Sequence, residues 1–219
     1  MPSQPRVVLF QGDSITDAGR VRGNQNPNDP AAMGRGYAFL AMCRLLAARP
    51  QADMLVYNRG ISGNRVPDLE ARWQRDCVDL KPDLVSILIG INDLWHRLGG
   101  SSHGTPKSYE TEFGALLTRT RTALPEARLV LCEPFVLETG VVDESWSSEF
   151  DERRAIAESL AQRHAATWVP FHATFRSAVA RDTDPAYWAD DGVHPTPAGH
   201  QLMADVWYER VFTPPVHAV

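Results

Sequence analysis

Short, nearly unbroken apolar runs punctuate the chain at Val7–Phe10, Met54–Tyr57, Leu84–Ile89 and Leu129–Cys132, with a weaker one at Thr167–Val169. Runs of this length without polar alternation mark strands covered on both faces. Between them lie stripes with helical spacing. Tyr37, Leu40, Ala41, Leu45 and Ala48 form one, and Val66, Leu69, Trp73, Cys77 and Leu80 another. Two more are Tyr109, Phe113, Leu116, Leu117, Thr120 and Leu124, then Phe150, Ala157, Leu160, Ala161 and His164. A last helix is predicted after Pro197, with Leu202, Met203, Val206 and Trp207 turned inward. Alternation of strand and helix predicts right-handed βαβ units and an α/β fold, a parallel sheet between helical layers. Five strands fit the flavodoxin-like doubly wound class; strand order is not contained in the pattern. With 219 residues and no repeat, low-complexity tract or linker, residues 1–219 are expected to form one domain.

Composition narrows the function classes. Lys plus Arg is 22 and Asp plus Glu 27, a net charge of −5, which argues against a general nucleic-acid binder. No stretch approaches the about 20 apolar residues of a membrane span. Met1–Gln11 lacks the apolar core and cleavage site of a leader. Cys43, Cys77 and Cys132 form no CxxC pair, so a disulfide framework is not expected and a reducing cytoplasm is.

Ligands of doubly wound sheets gather where strands end, and those segments carry chemistry. Gly12-Asp13-Ser14-Ile15-Thr16-Asp17 puts a serine just beyond a buried strand, where it serves either as a helix cap or as a nucleophile. Neither GxSxG, nor a phosphate loop, nor GxGxxG after a strand is present. Asn58–Asn64 reads as a tight turn in which Gly63 leaves its N–H open to a ligand. Gly90-Ile91-Asn92-Asp93 places an amide at the rim. Trp188–Pro195 sets Asp191 three positions before His194, a spacing that lets the carboxylate fix the imidazole tautomer. Nucleophile, base, orienter and oxyanion donors are the parts of an acyl-transfer site. The Asp/His pair lacks a third metal ligand, so neither a metal nor an organic cofactor is expected.

These blocks, GDSIT at 12–16, the turn ending in Gly63, GIND at 90–93 and DGVHP at 191–195, resemble those of the SGNH (GDSL-type) hydrolases. GRGYAFL, NRGISGNRVPDLEARW and KPDLVSILIGINDLW extend the likeness, most of all to intracellular bacterial acetylxylan esterases. The resemblance implies the three-layer α/β/α SGNH hydrolase fold and a serine esterase. In it Ser14 is nucleophile, His194 base and Asp191 its orienter, and the N–H groups of Ser14 and Gly63 with the Asn92 amide form the oxyanion hole. Asp190 is expected to be a solvated neighbour. Trp95 and Trp188 are candidates for stacking on sugar, and residues 20–36 and 133–148 for the pocket walls. The expected substrate is a small acetylated carbohydrate, such as an acetylated xylo-oligosaccharide. Self-association suits such an enzyme, although no self-complementary patch stands out. The alternatives are a lysophospholipase or thioesterase of the same superfamily, a non-catalytic carbohydrate-binding module, or a nucleotide binder.

Overall fold

The computed structural model describes residues 5–212 apart from Asp182, so residues 1–4 of the stretch read for a leader lie outside the described residues. Strands Val7–Gly12 (β1), Leu55–Asn58 (β2), Leu84–Leu88 (β3), Arg128–Cys132 (β4) and Thr167–Val169 (β5) form one parallel sheet in the order β2-β1-β3-β4-β5. This is the flavodoxin-like order, whose switch point lies between β1 and β3. Helices Tyr37–Ala48 (α1), Val66–Asp76 (α2), Ile91–Leu98 (α3), Pro106–Ala123 (α4), Ser147–Arg163 (α5), Phe171–Val179 (α6) and Pro197–Phe212 (α7) flank it.

The period-two geometry of a strand explains why its apolar runs are continuous. Val8 and Phe10, Leu84 and Leu88, and Val130 and Cys132 face one layer, packing with Tyr37 and Leu45 of α1, Phe175 of α6 and Trp207 of α7. Leu9, Val85, Ile87, Leu129 and Leu131 point the other way, onto Leu69 and Trp73 of α2, Phe113 of α4 and Leu160 of α5. Each layer has a wholly buried tryptophan with its N–H satisfied. Trp207 donates to Ser86 Oγ at 2.9 Å and Trp73 to Thr120 Oγ1 at 3.0 Å.

Some elements differ from the sequence reading. The stripe beginning at Val66 breaks at Cys77 and continues as a single 3₁₀ turn, Val78–Leu80. Pro82 disfavours the α conformation at Lys81, which takes φ 48° instead. Phe150, grouped with the α5 stripe, packs into the opposite layer. The buried face of α7 is Met203, Ala204, Trp207 and Val211, with Leu202 and Val206 only partly covered. Helices α3 and α6 lie in stretches read as connecting segments.

Asp13 and Asp93 are buried at the carboxyl edge of the sheet. Asp13 Oδ1 accepts the Ile15 N–H at 3.0 Å, and Asp93 Oδ1 the Val66 N–H at 3.3 Å. The second oxygen of each is buried with no hydrogen-bond partner among the described residues. Burial pushes Asp13 up to about 7, against the pull of the Ile15 N–H and His194, and pushes Asp93 to about 6.

Two predictions follow from this packing. Truncating Trp207 to alanine should cost about 3–5 kcal/mol in urea unfolding, because it empties the space beneath Phe10 and removes the donor to Ser86 Oγ; a loss under about 1 kcal/mol would contradict a core role for this ring. Asp13 has a higher pKa folded than unfolded, so the folded chain keeps a proton that the unfolded chain releases, and stability falls as pH climbs from about 4 to about 7. Asp13→Asn retains an acceptor for Ile15 without that proton. Its Tm should therefore gain on the wild type through this window and hold a constant lead above it; a pH-independent difference would rule out a protonated Asp13.

Candidate active site

Ser14 opens a one-turn helix, Ser14–Asp17, directly after β1, with the Asp13 side chain as its cap. Its hydroxyl is therefore anchored by the sheet rather than by a free loop. Ser14 Oγ lies 2.8 Å from His194 Nε2, although the two residues are 180 positions apart. His194 Nδ1 is 2.6 Å from Asp191 Oδ2. Asp191 Oδ1 accepts the backbone N–H groups of His194 at 2.7 Å and Val193 at 2.9 Å. Partial burial raises the Asp191 pKa, but the hydrogen bonds from the His194 ring and these two amides outweigh it and hold the carboxyl below its ordinary value. An ionised carboxylate only accepts, so the imidazole proton sits on Nδ1 and Nε2 offers its lone pair to the Ser14 hydroxyl. Such a relay can draw the proton from the oxygen as it attacks a carbonyl.

The loop that presents this pair is pinned on both sides. Thr196 N–H donates to Trp188 O at 2.9 Å, and Ala189 and Pro195 form an antiparallel bridge. Gly192 has φ +85°, and a Cβ there would stand 2.5 Å from the carbonyl oxygens of Leu137 and Thr139. The close approach allows Leu137 N–H to bond Gly192 O at 2.8 Å and Val141 N–H to bond Asp191 O at 3.1 Å. Asp190 is exposed.

The turn after β2 reaches the same edge. Gly63 takes φ +82° in open space, so its conformation alone demands glycine. Ile61 N–H bonds Gly12 O at 3.1 Å and Ser62 N–H bonds Asp17 Oδ2 at 3.1 Å, tying the turn to the Ser14 segment. On its other side Asn64 O accepts Asn92 Nδ2 at 3.2 Å from the first turn of α3. The segments carrying Ser14, Gly63 and Asn92 are thereby joined by hydrogen bonds at the carboxyl ends of β1, β2 and β3.

A cavity of about 370 Å³ opens over Ser14 and His194, walled by Ser62, Arg35, Pro195 and His200. Arg35 lies in the expected wall segment 20–36 without having been singled out, whereas His200 escaped the sequence reading. Burial, with His194 and Arg35 nearby, lowers the His200 pKa to about 4, so it remains neutral and accepts the Tyr37 N–H at Nδ1, 3.1 Å away. Trp95 packs between Trp146 and His194, its ring centroid 5.6 Å from the first and 6.0 Å from the second. Trp95 does not line this cavity, and neither does Trp188. Its ring lies edge-on to Phe175 and Tyr187, and its N–H donates to Thr183 Oγ1 at 2.8 Å. Of the two predicted wall segments, residues 20–36 contribute Arg35, whereas residues 133–148 line a separate cavity of about 440 Å³ with Phe150 and His172. Among the described residues no group of three or more His, Cys, Asp or Glu side chains is placed to hold a metal ion, and no helix is long and apolar enough to cross a membrane.

The same architecture occurs in known proteins. Residues 10–202 match the GDSL-like Lipase/Acylhydrolase family. An acetylxylan esterase of Geobacillus stearothermophilus is 34% identical over 208 residues, covering 93% of either chain. The crystal structure of an acetylxylan esterase from the same organism superposes with a TM-score of 0.86, covering 98% of this chain and 97% of that one at 33% identity. A Parabacteroides merdae protein described as a GDSL-like lipase gives a TM-score of 0.90 at 44% identity, over 93% of this chain and 94% of its own. With Ser14 and His194 in contact at the sheet edge and the likeness running through nearly the whole chain, the protein belongs to the GDSL-like lipase/acylhydrolase family and is an esterase.

Proposed function

We propose that this esterase removes O-acetyl groups from small acetylated carbohydrates, acetylated xylo-oligosaccharides in particular, through an acyl-enzyme on Ser14. The observation that carries the reading is the Ser14–His194–Asp191 relay, with spacings of 2.8 and 2.6 Å, at the floor of an open cavity of about 370 Å³. In the first step Ser14 Oγ bonds to the ester carbonyl carbon and its proton passes to His194 Nε2. The carbonyl oxygen takes the displaced electron pair and is met by the N–H groups of Ser14 and Gly63 and by Asn92 Nδ2. As the C–O bond to the sugar breaks, His194 returns the proton to the departing alcohol. Water repeats the sequence on the acetyl-serine, releasing acetate and the free hydroxyl. Asp191 stabilises the imidazolium formed in each step.

Cavity size supports a small acyl group joined to part of a sugar, near the lower end of the range for ligand pockets. The half-buried Trp95 beside His194 supplies an apolar ring face for a sugar. Trp188 is proposed only as a prop of the loop. Similarity to an acetylxylan esterase supports the same substrate class. Forms of that esterase described as catalytic mutants have alanine in place of a serine or a histidine, which supports serine–histidine chemistry. The unpaired thiols Cys43, Cys77 and Cys132 accord with a reducing cytoplasm.

Ser14→Ala should be almost inactive on aryl acetates and on acetylated xylo-oligosaccharides. Asn92→Ala should fold normally and lose roughly 10²–10³ in rate, and a loss under tenfold would remove Asn92 from the oxyanion hole. Across acetyl to octanoyl esters of one alcohol, kcat/KM should fall with chain length. A rise would replace the acetyl assignment with a lipid- or thioester-directed one, and no turnover of any ester at high protein concentration would leave a binding module.

A further inference from the structure

The guanidinium of Arg72, on α2, lies outside the cavity and touches neither Ser14 nor His194, yet its contacts converge on the catalytic edge. Its side chain is 9% exposed. Nε donates to Asn64 Oδ1 at 2.8 Å, Nη2 to Gly12 O at 3.3 Å, and Nη1 lies 2.8 Å from Arg59 O and 3.0 Å from Gln11 Oε1. Nη1 is also 3.2 Å from Asp76 Oδ2. That carboxylate is already held by Arg75, through Nε at 2.7 Å and Nη2 at 3.0 Å, so neutralising Asp76 does not account for the other four contacts.

Those four acceptors belong to the two segments that carry backbone donors. Gly12 stands two residues before Ser14, and Asn64 is adjacent to Gly63. The third donor is reached through one more bond, since the Asn64 carbonyl accepts Asn92 Nδ2 at 3.2 Å. That bond occupies one of the amide's two N–H groups and fixes the direction of the other. We propose that Arg72 is a positioning residue for the oxyanion hole: its planar fork sets the separation of the Gly12 and Asn64 segments and, through Asn64, orients the Asn92 amide. The role rests on the serine-esterase reading. A fork with fixed angles can hold two segments at one spacing, whereas a lysine ammonium at the same place makes undirected contacts. Oxyanion donors act through preset geometry, and a misplacement of about 1 Å costs up to about 10²-fold in rate.

The test uses Arg72→Lys and Asn64→Ala in the wild-type and Asn92→Ala backgrounds, with Ser14→Ala as control. Thermal melts and near-UV circular dichroism establish folding, kcat and KM are measured on an aryl acetate, and inhibition by a small alkylboronic acid reports affinity for a tetrahedral anion on serine. Arg72→Lys and Asn64→Ala should each lower kcat by about 10–100-fold. They should weaken the boronic acid by a similar factor and leave KM within about threefold. In the Asn92→Ala background the Arg72→Lys loss should shrink at least about threefold, because the part carried by the oriented amide is gone while the part carried by the spacing of the two backbone donors remains. A folded Arg72→Lys with near wild-type kcat, or a loss undiminished in the Asn92→Ala background, would overturn the role. If Arg72→Lys fails to fold, Asn64→Ala decides by the same criteria, since it removes only an acceptor from a part-exposed turn. Substantial turnover by Ser14→Ala would instead remove Ser14 as the nucleophile, and this role with it.

Discussion

A hydrogen bond of 2.8 Å between the Ser14 hydroxyl and His194 Nε2 joins the first strand to the loop before the last helix, and any chemistry at this edge depends on its length. Neither side chain reaches far, so the two ends of the chain must be held still by packing. At one end β1 carries Ser14 from the interior of the sheet. At the other, α7 anchors the loop by burying Trp207, whose ring centroid lies 4.7 Å from that of Phe10 and whose N–H reaches Ser86 on β3. The helix that fixes His194 thus rests on the strand that presents Ser14 and on its neighbour. Cooperative burial on one layer converts a separation of 180 positions into a stable contact.

The second constraint is electrostatic. The carboxyl edge of the sheet buries Asp13, Asp17, Asp76 and Asp93 together with Arg20 and Arg59, a costly arrangement unless the groups are paired or neutral. Both solutions occur. Asp17 is paired with Arg22 and Asp76 with Arg72 and Arg75, whereas Asp13 and Asp93 each keep an oxygen without a partner among the described residues, and burial shifts both toward the neutral form. The result is a rigid polar frame around the glycine turn. Asp191 stands apart from it: partly exposed and bonded through both oxygens, it stays ionised, as orientation of His194 requires.

Much of this was legible in the residues because the strands are continuous and the chemistry lies at their ends. Val7–Phe10, Leu84–Ile89 and Leu129–Cys132 could hardly be anything but doubly covered strands, and Ser14, Gly63, Asn92 and His194 all fall beyond strands in blocks with a family resemblance. Strand order was not legible, since it depends on which helix faces cover which layer. Helix α3 was hidden by its brevity, and α6 by the long proline-bounded segment that contains it. His200 enters the cavity because α7 packs beside the start of α1, where its ring meets the Tyr37 N–H, a tertiary fact without a local signal. The contacts of Arg72 are equally non-local: its acceptors come from β1 and the β2 turn, and from its helical spacing it reads as an ordinary surface arginine. Residues 133–148 sit beside the Asp191 loop, as expected of a rim segment, yet they enclose a different cavity because Gly192 draws their backbone in behind that loop.

Turnover by the proposed route requires the Ser14 oxygen to become covalently acylated. The direct measurement is rapid quenching of the protein with an aryl acetate, followed by intact mass spectrometry and peptide mapping. One acetyl group per chain should appear on the peptide containing Ser14, formed within the pre-steady-state phase and absent from Ser14→Ala. Acetylation confined to another residue that matches the rate of turnover would contradict it.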